Sequence, residues 1–400
     1  MIQKADTQMI KRFNETQLLK LIRDLGPISR IELANRTKMS KVAVFDIINR
    51  LIEQQYVEDV GKGKSTKRGG KRPSLVKLDT SSHFVIGIEL RRREALLTLA
   101  NVEATIIQIK KFNFNVETDP NIVIGKMFSR IDTMLQNANV RRDQLVSIGI
   151  GIPGVIDYHL GKLRFADTLK GWDTVELRKV FNSEFGVPII LENDVNTIAL
   201  GESILGAGRG VLDIVCLWIG SGIGAGIVVN GQLIRGFGGG AGEIGYLEIN
   251  RHCSTEMSFR HIYKDQKFFG DVLSEQNLHS VLLTHLGNVP HKTFETKPII
   301  SLLKSKTNQP LINEILDEYA YFLGILCLDI FKIINPEILI LSGTIPENSP
   351  YVVEKVNNFV SENTRQIPLF SGSIVVGKLK EKAGLQGAIT LALQVIFESD

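Results

Sequence analysis

From about residue 83 the chain alternates short apolar runs with helical stretches and then repeats the whole order, which constrains its architecture more than any other feature. Strands are expected at 84–90, 94–100, 104–112 and 145–151, followed by a helix near 173–185, the run "VPIIL" and a helix from Asn193 to about Leu205. A second series opens with "DIVCLWIG", "GAGIVVNG" and "QLIRG". It continues with a long helix near 311–334, "EILILSG", a helix near 350–364, "SIVVG" and a last helix from about 383. Strands recurring with helices call for sheets covered by helices. Two similar α/β halves are therefore expected, with ligand contacts on loops at the strand ends.

Residues 1–80 follow a different grammar. "NETQLLKLIRD" carries Leu18, Leu19, Leu21 and Ile22 at helical spacing. "SRIELANRTK" opens with Ser29 as N-cap and Glu32 three residues on, and "SKVAVFDIINRLIEQQY" opens at Ser40. In this third helix Val44, Ile47, Ile48, Leu51 and Ile52 form one apolar stripe, leaving Lys41, Val42, Phe45, Asp46 and Asn49 on other faces. Next, "YVEDVGKGKSTKRGGKRPSLVKLD" reads as a strand, a glycine-rich basic turn and a second strand, with Lys62, Lys64, Lys67, Arg68, Lys71 and Arg72 crowded on the hairpin.

Charge follows the same boundary. Residues 1–80 hold 17 Lys/Arg against 9 Asp/Glu, leaving 30 against 34 for the remainder. A localised cationic excess suits an anionic polymer, or a solvated basic surface. Helical triad and basic hairpin together resemble a winged helix-turn-helix DNA-binding domain. The partner this implies is operator DNA, with Ser40, Lys41, Val42 and Phe45 at the start of a major-groove helix and Lys67, Arg68, Lys71 and Arg72 on phosphates or in a minor groove. Two alternatives stay open: Phe45 packed on the first helix, and the hairpin as a linker.

The remaining bounds are broad. The chain has 400 residues, 44% of them hydrophobic and 22% charged, and no apolar run approaches the roughly 18–20 residues that span a bilayer. "MIQKADTQMIKRFNE" lacks the apolar core of a signal peptide. A cytoplasmic protein with no membrane partner is expected, and Cys216, Cys253 and Cys327 suggest no disulfide framework.

The loops carry the motifs. "GIGIPGVID" (149–157), "TLKGW" (168–172), "LENDVNTIALGE" (191–202), "GSGIGAGIVVNG" (220–231), "GGGAGEIGYLEIN" (238–250), "NPEILILSG" (335–343) and "AGLQGAITLAL" (383–393) occur in an order that resembles the ROK family of bacterial sugar kinases and sugar-responsive repressors. That resemblance implies an actin-like, ribonuclease H-like, two-lobed α/β body. The expected domains are a winged helix-turn-helix at 1–80, a first lobe at 81–200 completed by the C-terminal helix 382–400, and a second lobe at 201–381.

By the same resemblance Asp194 stands at the kinase general-base position, where a carboxylate takes the proton of the attacking sugar hydroxyl. Asn193 and Glu243 stand where the family holds sugar hydroxyls. Helix capping by Asn193 and Asp194, and a solvated loop acid at Glu243, are the structural alternatives. Tyr246 replaces a family histidine, and Thr168 replaces the asparagine of an "NLxxW" segment. These five residues are the expected effector contacts.

The phosphate machinery departs from the family. Kinases place an Asp, one residue and then Gly-Gly-Thr in the first hairpin, where unhindered backbone N–H groups approach phosphate and the acid helps hold magnesium. Here Glu89, Arg91, Arg92 and Arg93 occupy those places. Gly220–Gly226 is left as either a phosphate loop or a tight turn, and the adenosine side shrinks to "LSGT" at 341–344. The family's CxCGxxGC zinc cluster is also missing; His252, Cys253 and His261 lack its ligand number and spacing. No cofactor and no metal site are expected.

A cytoplasmic sugar-responsive transcriptional regulator follows, not an enzyme: a repressor of carbohydrate-utilisation genes, with a sugar or sugar phosphate as effector, assembled as a homodimer or homotetramer because paired half-sites suit two-fold symmetry. The sequence leaves two alternatives: an active sugar kinase with an appended DNA-binding domain, and a DNA-binding dimer that senses no small molecule.

Overall fold

In the computed structural model, which describes residues 7–63, 73–166, 168–249, 266–286, 296–304, 309–365 and 371–398, serines cap the helices next to the start of the chain. Helix α1 (Thr7–Leu25) is followed by the short strand β1 (Ile28–Ser29), α2 (Arg30–Thr37) and α3 (Lys41–Glu53). Ser29 Oγ accepts the Glu32 amide at 3.1 Å and Ser40 Oγ accepts the Ala43 amide at 3.1 Å, each satisfying a donor the helix cannot. Glu32 completes no capping box; its carboxylate takes Arg36 at 3.0 Å, one turn on. The expected stripe on α3 is inside, with Val44, Ile47, Ile48 and Leu51 buried.

Strands β2 (Val57–Lys62) and β3 (Ser74–Leu78) pair antiparallel, and β1 joins the other edge of β3. The two strands of the expected hairpin are thus present. Lys64, Lys67, Arg68, Lys71 and Arg72 lie outside the described residues.

The chain divides into two compact units, Met1–Glu192 with Ala388–Asp400, and Asn193–Gly387. In the first, the body consists of β4 (Phe84–Arg91), β5 (Glu94–Asn101), β6 (Ile106–Asn113), α4 (Pro120–Asn137), β7 (Leu145–Ile152), the hairpin β8 (Val155–Asp157) and β9 (Lys162–Phe165), α5 (Leu177–Phe185) and β10 (Ile189–Asn193). The sheet order is β10-β7-β4-β5-β6. Strand β4 runs antiparallel to β5 and parallel to β7. Helix α4 went unread in the sequence, although its signals are there: Asp119 caps it, Pro120 opens it, and Val123, Ile124, Met127, Ile131, Met134 and Leu135 bury one face.

The second unit contains α6 (Asp194–Leu205), β11 (Ile214–Ile219), β12 (Ile223–Val229), β13 (Gln232–Ile234), α7 (Phe269–Leu273), α8 (Glu275–His285), α9 (Thr296–Leu303) and α10 (Gln309–Ile334). It continues with β14 (Ile338–Ser342), α11 (Thr344–Asn348), α12 (Pro350–Thr364), β15 (Ser373–Val376) and the start of α13 (Ala383–Phe397), whose residues from Ala388 belong to the first unit. Its sheet runs β13-β12-β11-β14-β15. Each sheet is a three-strand antiparallel meander whose first strand also pairs in parallel with the fourth, so the repeated α/β halves read from the sequence are real.

Glycines decide how closely α13 lies on the first sheet. Gly87 of β4 and Gly149 of β7 are register partners. A Cβ on Gly87 would stand 2.9 Å from Ile389 N, and one on Gly149 would stand 2.3 Å from Ala388 O. No larger residue fits there. Beyond this seat, Ile389, Ala392, Leu393, Ile396 and Phe397 of α13 share one core with Leu18, Ile22, Val44 and Ile48 of the N-terminal helices and Val85 and Ala100 of the sheet. The N-terminal module is therefore packed onto the first unit rather than tethered to it. No helix among the described residues is long and apolar enough to cross a membrane.

Candidate functional site

The hairpin between β4 and β5 closes as Arg91 pairs with Glu94 across the sheet, leaving Arg92 and Arg93 exposed in the turn. Glu89, 6% exposed, ends the buried part of β4, and Arg91 Nε lies 2.6 Å from its Oε1. Arg91 also reaches Glu94 at 3.6 Å. A guanidinium therefore pairs with the acid that the family resemblance implies for magnesium. These residues do not fit that group: the acid is paired with a guanidinium, and arginines stand where glycines would leave the backbone open.

The second glycine loop joins β11 to β12 at Gly220–Gly222. The Gly220 amide donates to Gly222 O at 3.0 Å, and Gly220 O accepts the Glu275 amide at 2.9 Å, fastening the loop to the start of α8. Burial pushes the Glu275 carboxyl up to about 7, against the hydrogen bond with Thr344 that lowers it.

Within the second unit, β12 is the common support for four of the five expected effector contacts. On one side, Gly224 and Gly226 let α6 come close: a Cβ on Gly224 would lie 3.1 Å from Val195, and one on Gly226 2.3 Å from Ala199. Against the same strand, the Ala225 amide donates to Gly242 O at 2.8 Å. Gly242 has φ +87°, and a Cβ there would stand 1.7 Å from Ala225 O, so only glycine allows this crossing. Gly245 approaches Ile223 O in the same way. The N-terminus of α6, with Asn193 and Asp194, and the segment carrying Glu243 and Tyr246 are both pinned to one strand.

Asn193 is a helix cap, its Oδ1 accepting the Val195 and Asn196 amides at 2.9 and 3.1 Å. Asp194 Oδ1 also accepts the Val195 amide, at 3.0 Å. Both side chains are half-buried, whereas Glu243 and Tyr246 are exposed. Tyr246 stands edge-on to Phe268, with centroids 6.2 Å apart. A phenol is a poor substitute for the imidazole of a tetrahedral zinc site, and His252, Cys253 and His261 lie outside the described residues. Thr168 belongs to the first unit, next to buried Leu169, and its Oγ1 is buried with no hydrogen-bond partner among the described residues.

Two buried carboxylates within "LENDVNTIALGE" escaped the sequence reading. Glu192, 0% exposed, accepts the Tyr158 hydroxyl at 2.5 Å immediately before Asn193. Glu202, on the last turn of α6, accepts the amides of Ala207, Lys378 and Leu379 at 2.8, 3.1 and 2.8 Å. It ties the end of α6 to the turn after β15. The acids themselves are visible in "LENDVNTIALGE", but their partners are remote in sequence.

The expected DNA-reading face is on the surface. Ser40 caps α3, Lys41 is exposed, Val42 is 71% and Phe45 40% exposed. The Arg30 guanidinium lies over the Phe45 ring, 5.1 Å from the centroid.

Residues 85–395 match the ROK family. The chain is 27% identical over 391 residues to the xylose repressor of Caldicellulosiruptor bescii, covering 96% of each chain. It is 28% identical to the xylose repressor of Bacillus spizizenii, covering 89% of this chain and 88% of that one. In three dimensions it is similar to the crystal structure of a ROK family transcriptional regulator, homologue of the E. coli MLC protein, with a TM-score of 0.81, 20% identity and 98% of both chains covered. The glycine-pinned segments around β12, the duplicated sheet and the match over most of its length lead to one assignment: the chain belongs to the ROK family.

Proposed function

We propose that this chain is a sugar-responsive, DNA-binding transcriptional repressor of carbohydrate-utilisation genes, working in the cytoplasm as a homodimer or homotetramer, and that its ROK body is a sensor rather than a kinase. The observation that carries the reading is the surface of α3. A capped helix buries one apolar stripe and leaves Lys41, Val42 and Phe45 outside, beside a two-stranded hairpin, all ahead of the family-matched body. Exposed apolar side chains next to a cation suit a major groove, where thymine methyls and base edges alternate. Relatives called xylose repressors align over the same module as well as the body.

We assign DNA reading to residues 1–80, with Ser40, Lys41, Val42 and Phe45 at the bases and Lys67, Arg68, Lys71 and Arg72 on the backbone. Sensing is assigned to the lobes 81–200, completed by 382–400, and 201–381. Asn193, Asp194, Glu243, Tyr246 and Thr168 are the effector contacts, since amide, carboxylate and hydroxyl groups match a polyol. Thr168 supports this most directly, because a buried hydroxyl with no partner among the described residues is a group a ligand can satisfy. A sugar changes DNA affinity only to the extent that it binds one arrangement of the protein better than the other.

The test is selection of operator DNA by the full-length protein from random duplexes, followed by competition with a sugar and sugar-phosphate panel that begins with xylose. Enrichment of a defined sequence, and its release by one sugar, is expected. No enriched sequence defeats the DNA reading, and an operator complex indifferent to every sugar defeats the sensor reading. The retained Asp194 favours kinase activity as the competing function; it is tested by ATP turnover.

A further inference from the structure

Arg30 touches three parts of the N-terminal module at once. It is the first residue of α2, and the strand just before it, β1, is hydrogen-bonded to β3 through the pairs Ile28–Val76 and Ser29–Leu75. Its guanidinium covers the Phe45 ring of α3. Its Nη2 lies 3.7 Å from Asp59 Oδ2 on β2. Asp59 in turn holds the hairpin: Oδ2 accepts the Ser74 hydroxyl at 2.6 Å, and Oδ1 accepts the Gly61 amide at 3.0 Å, across the bulge where the β2–β3 register shifts.

The Arg30 side chain is only 15% exposed, and its Nε is buried without an acceptor among the described residues. A phosphate contact needs the guanidinium turned outward to water. Here the edge is used by Asp59 and the face by Phe45, so the cation is spent on internal geometry. Phe45, by contrast, keeps an exposed face of its own.

Building on the proposed DNA reading, we infer that Arg30 is a positioning residue for sequence discrimination: it holds Phe45 in its outward orientation and locks the β2–β3 hairpin to the reading helix, without touching DNA. A planar guanidinium can stack and pair simultaneously. A lysine in its place keeps the charge but cannot present a flat face to the ring and a fork to the acid. Asp59 is the second half of the lock, because it pairs with Arg30 and holds Ser74 and Gly61 on the two hairpin strands.

The experiment measures binding of the selected operator and of a scrambled duplex across a salt series, for wild type, Arg30→Lys, Asp59→Asn, Phe45→Ala and the double variant Arg30→Lys/Phe45→Ala. Arg30→Lys is expected to lower the operator-to-scrambled affinity ratio by about tenfold, the scale of one base contact, and to leave the salt slope unchanged. Asp59→Asn lowers the ratio in the same direction. The double variant loses no more than Phe45→Ala alone, since both act through one ring.

An unchanged ratio in Arg30→Lys, or additive losses in the double variant, overturns the inference. So does an Arg30→Ala protein whose salt slope falls by about one on both duplexes, the signature of a lost phosphate contact. If Arg30→Lys melts the module, scrambled DNA binding disappears as well, and Asp59→Asn measured against Phe45→Ala then decides. A wild type that enriches no sequence defeats the repressor reading itself. Arg30 variants as selective as a discriminating wild type defeat only the lock.

Discussion

Arg91 Nε sits 2.6 Å from Glu89 Oε1 at the end of a strand otherwise wholly buried. Separated by one residue on the same strand, the two side chains share a face, so the pairing is set by the period of the β-strand. The pairing occupies the acid for which the family resemblance implies a magnesium role.

ATP turnover over a panel of hexoses, pentoses and amino sugars is therefore expected to stay at the no-enzyme background in a coupled assay. Clear turnover that Asp194→Asn abolishes would overturn the non-enzyme reading.

Thr168→Val is expected to act with opposite signs on two measurements. Removing a buried hydroxyl that has no partner among the described residues raises the unfolding free energy of the ligand-free protein by about 1 kcal/mol. The same change weakens the sugar that releases the operator, by about tenfold in calorimetry. Glu243→Ala, at an exposed position, should weaken the sugar with stability nearly unchanged. A Thr168→Val protein that is both less stable and fully sugar-responsive speaks against a ligand role.

Glu202→Gln should cost about 3 kcal/mol in urea unfolding, because the buried carboxylate accepts three backbone amides and a carboxamide turns a donor toward one of them. The loss should appear as a lower midpoint with the same m-value. A cost below 1 kcal/mol would mean the turn after β15 finds other acceptors.

Glu318 of α10 is buried among apolar side chains, and burial pushes its carboxyl from 4.5 up to about 8. Between those values the folded protein keeps a proton that the unfolded chain has released, so this group's contribution to stability is full below 4.5 and is lost as pH rises to about 8. Glu275 acts in the same direction up to about 7. Glu318→Gln is expected to remove part of that slope: its Tm advantage over wild type grows from pH 5 to pH 9. An advantage that shrinks with rising pH contradicts the assignment.

Much of this protein was legible from local pattern. The caps Ser29 and Ser40, the buried stripe of α3 and the repeated strand order all follow from period and from short-range hydrogen bonding, which the sequence carries directly. The helix Pro120–Asn137 carries equally local signals, a capping Asp119, Pro120 in its first turn and an apolar period, within a stretch otherwise dominated by strands. Asn193 shows the limit of motif reading: the residue expected to hold sugar hydroxyls is also a helix cap, and both roles use the same side chain.

By itself, then, the sequence determined the two α/β halves, the N-terminal helical triad with its hairpin, and the replacement of phosphate-loop glycines by arginines, all of them properties of neighbouring residues. Only the tertiary structure decided that Arg30 joins Phe45 to Asp59. It alone seats α13 on Gly87 and Gly149 and joins that helix to the core of the N-terminal module. The reason is physical: which cation meets which acid, and which glycine admits which helix, depends on distances between segments far apart in the chain, and those distances exist only once the sheets have formed.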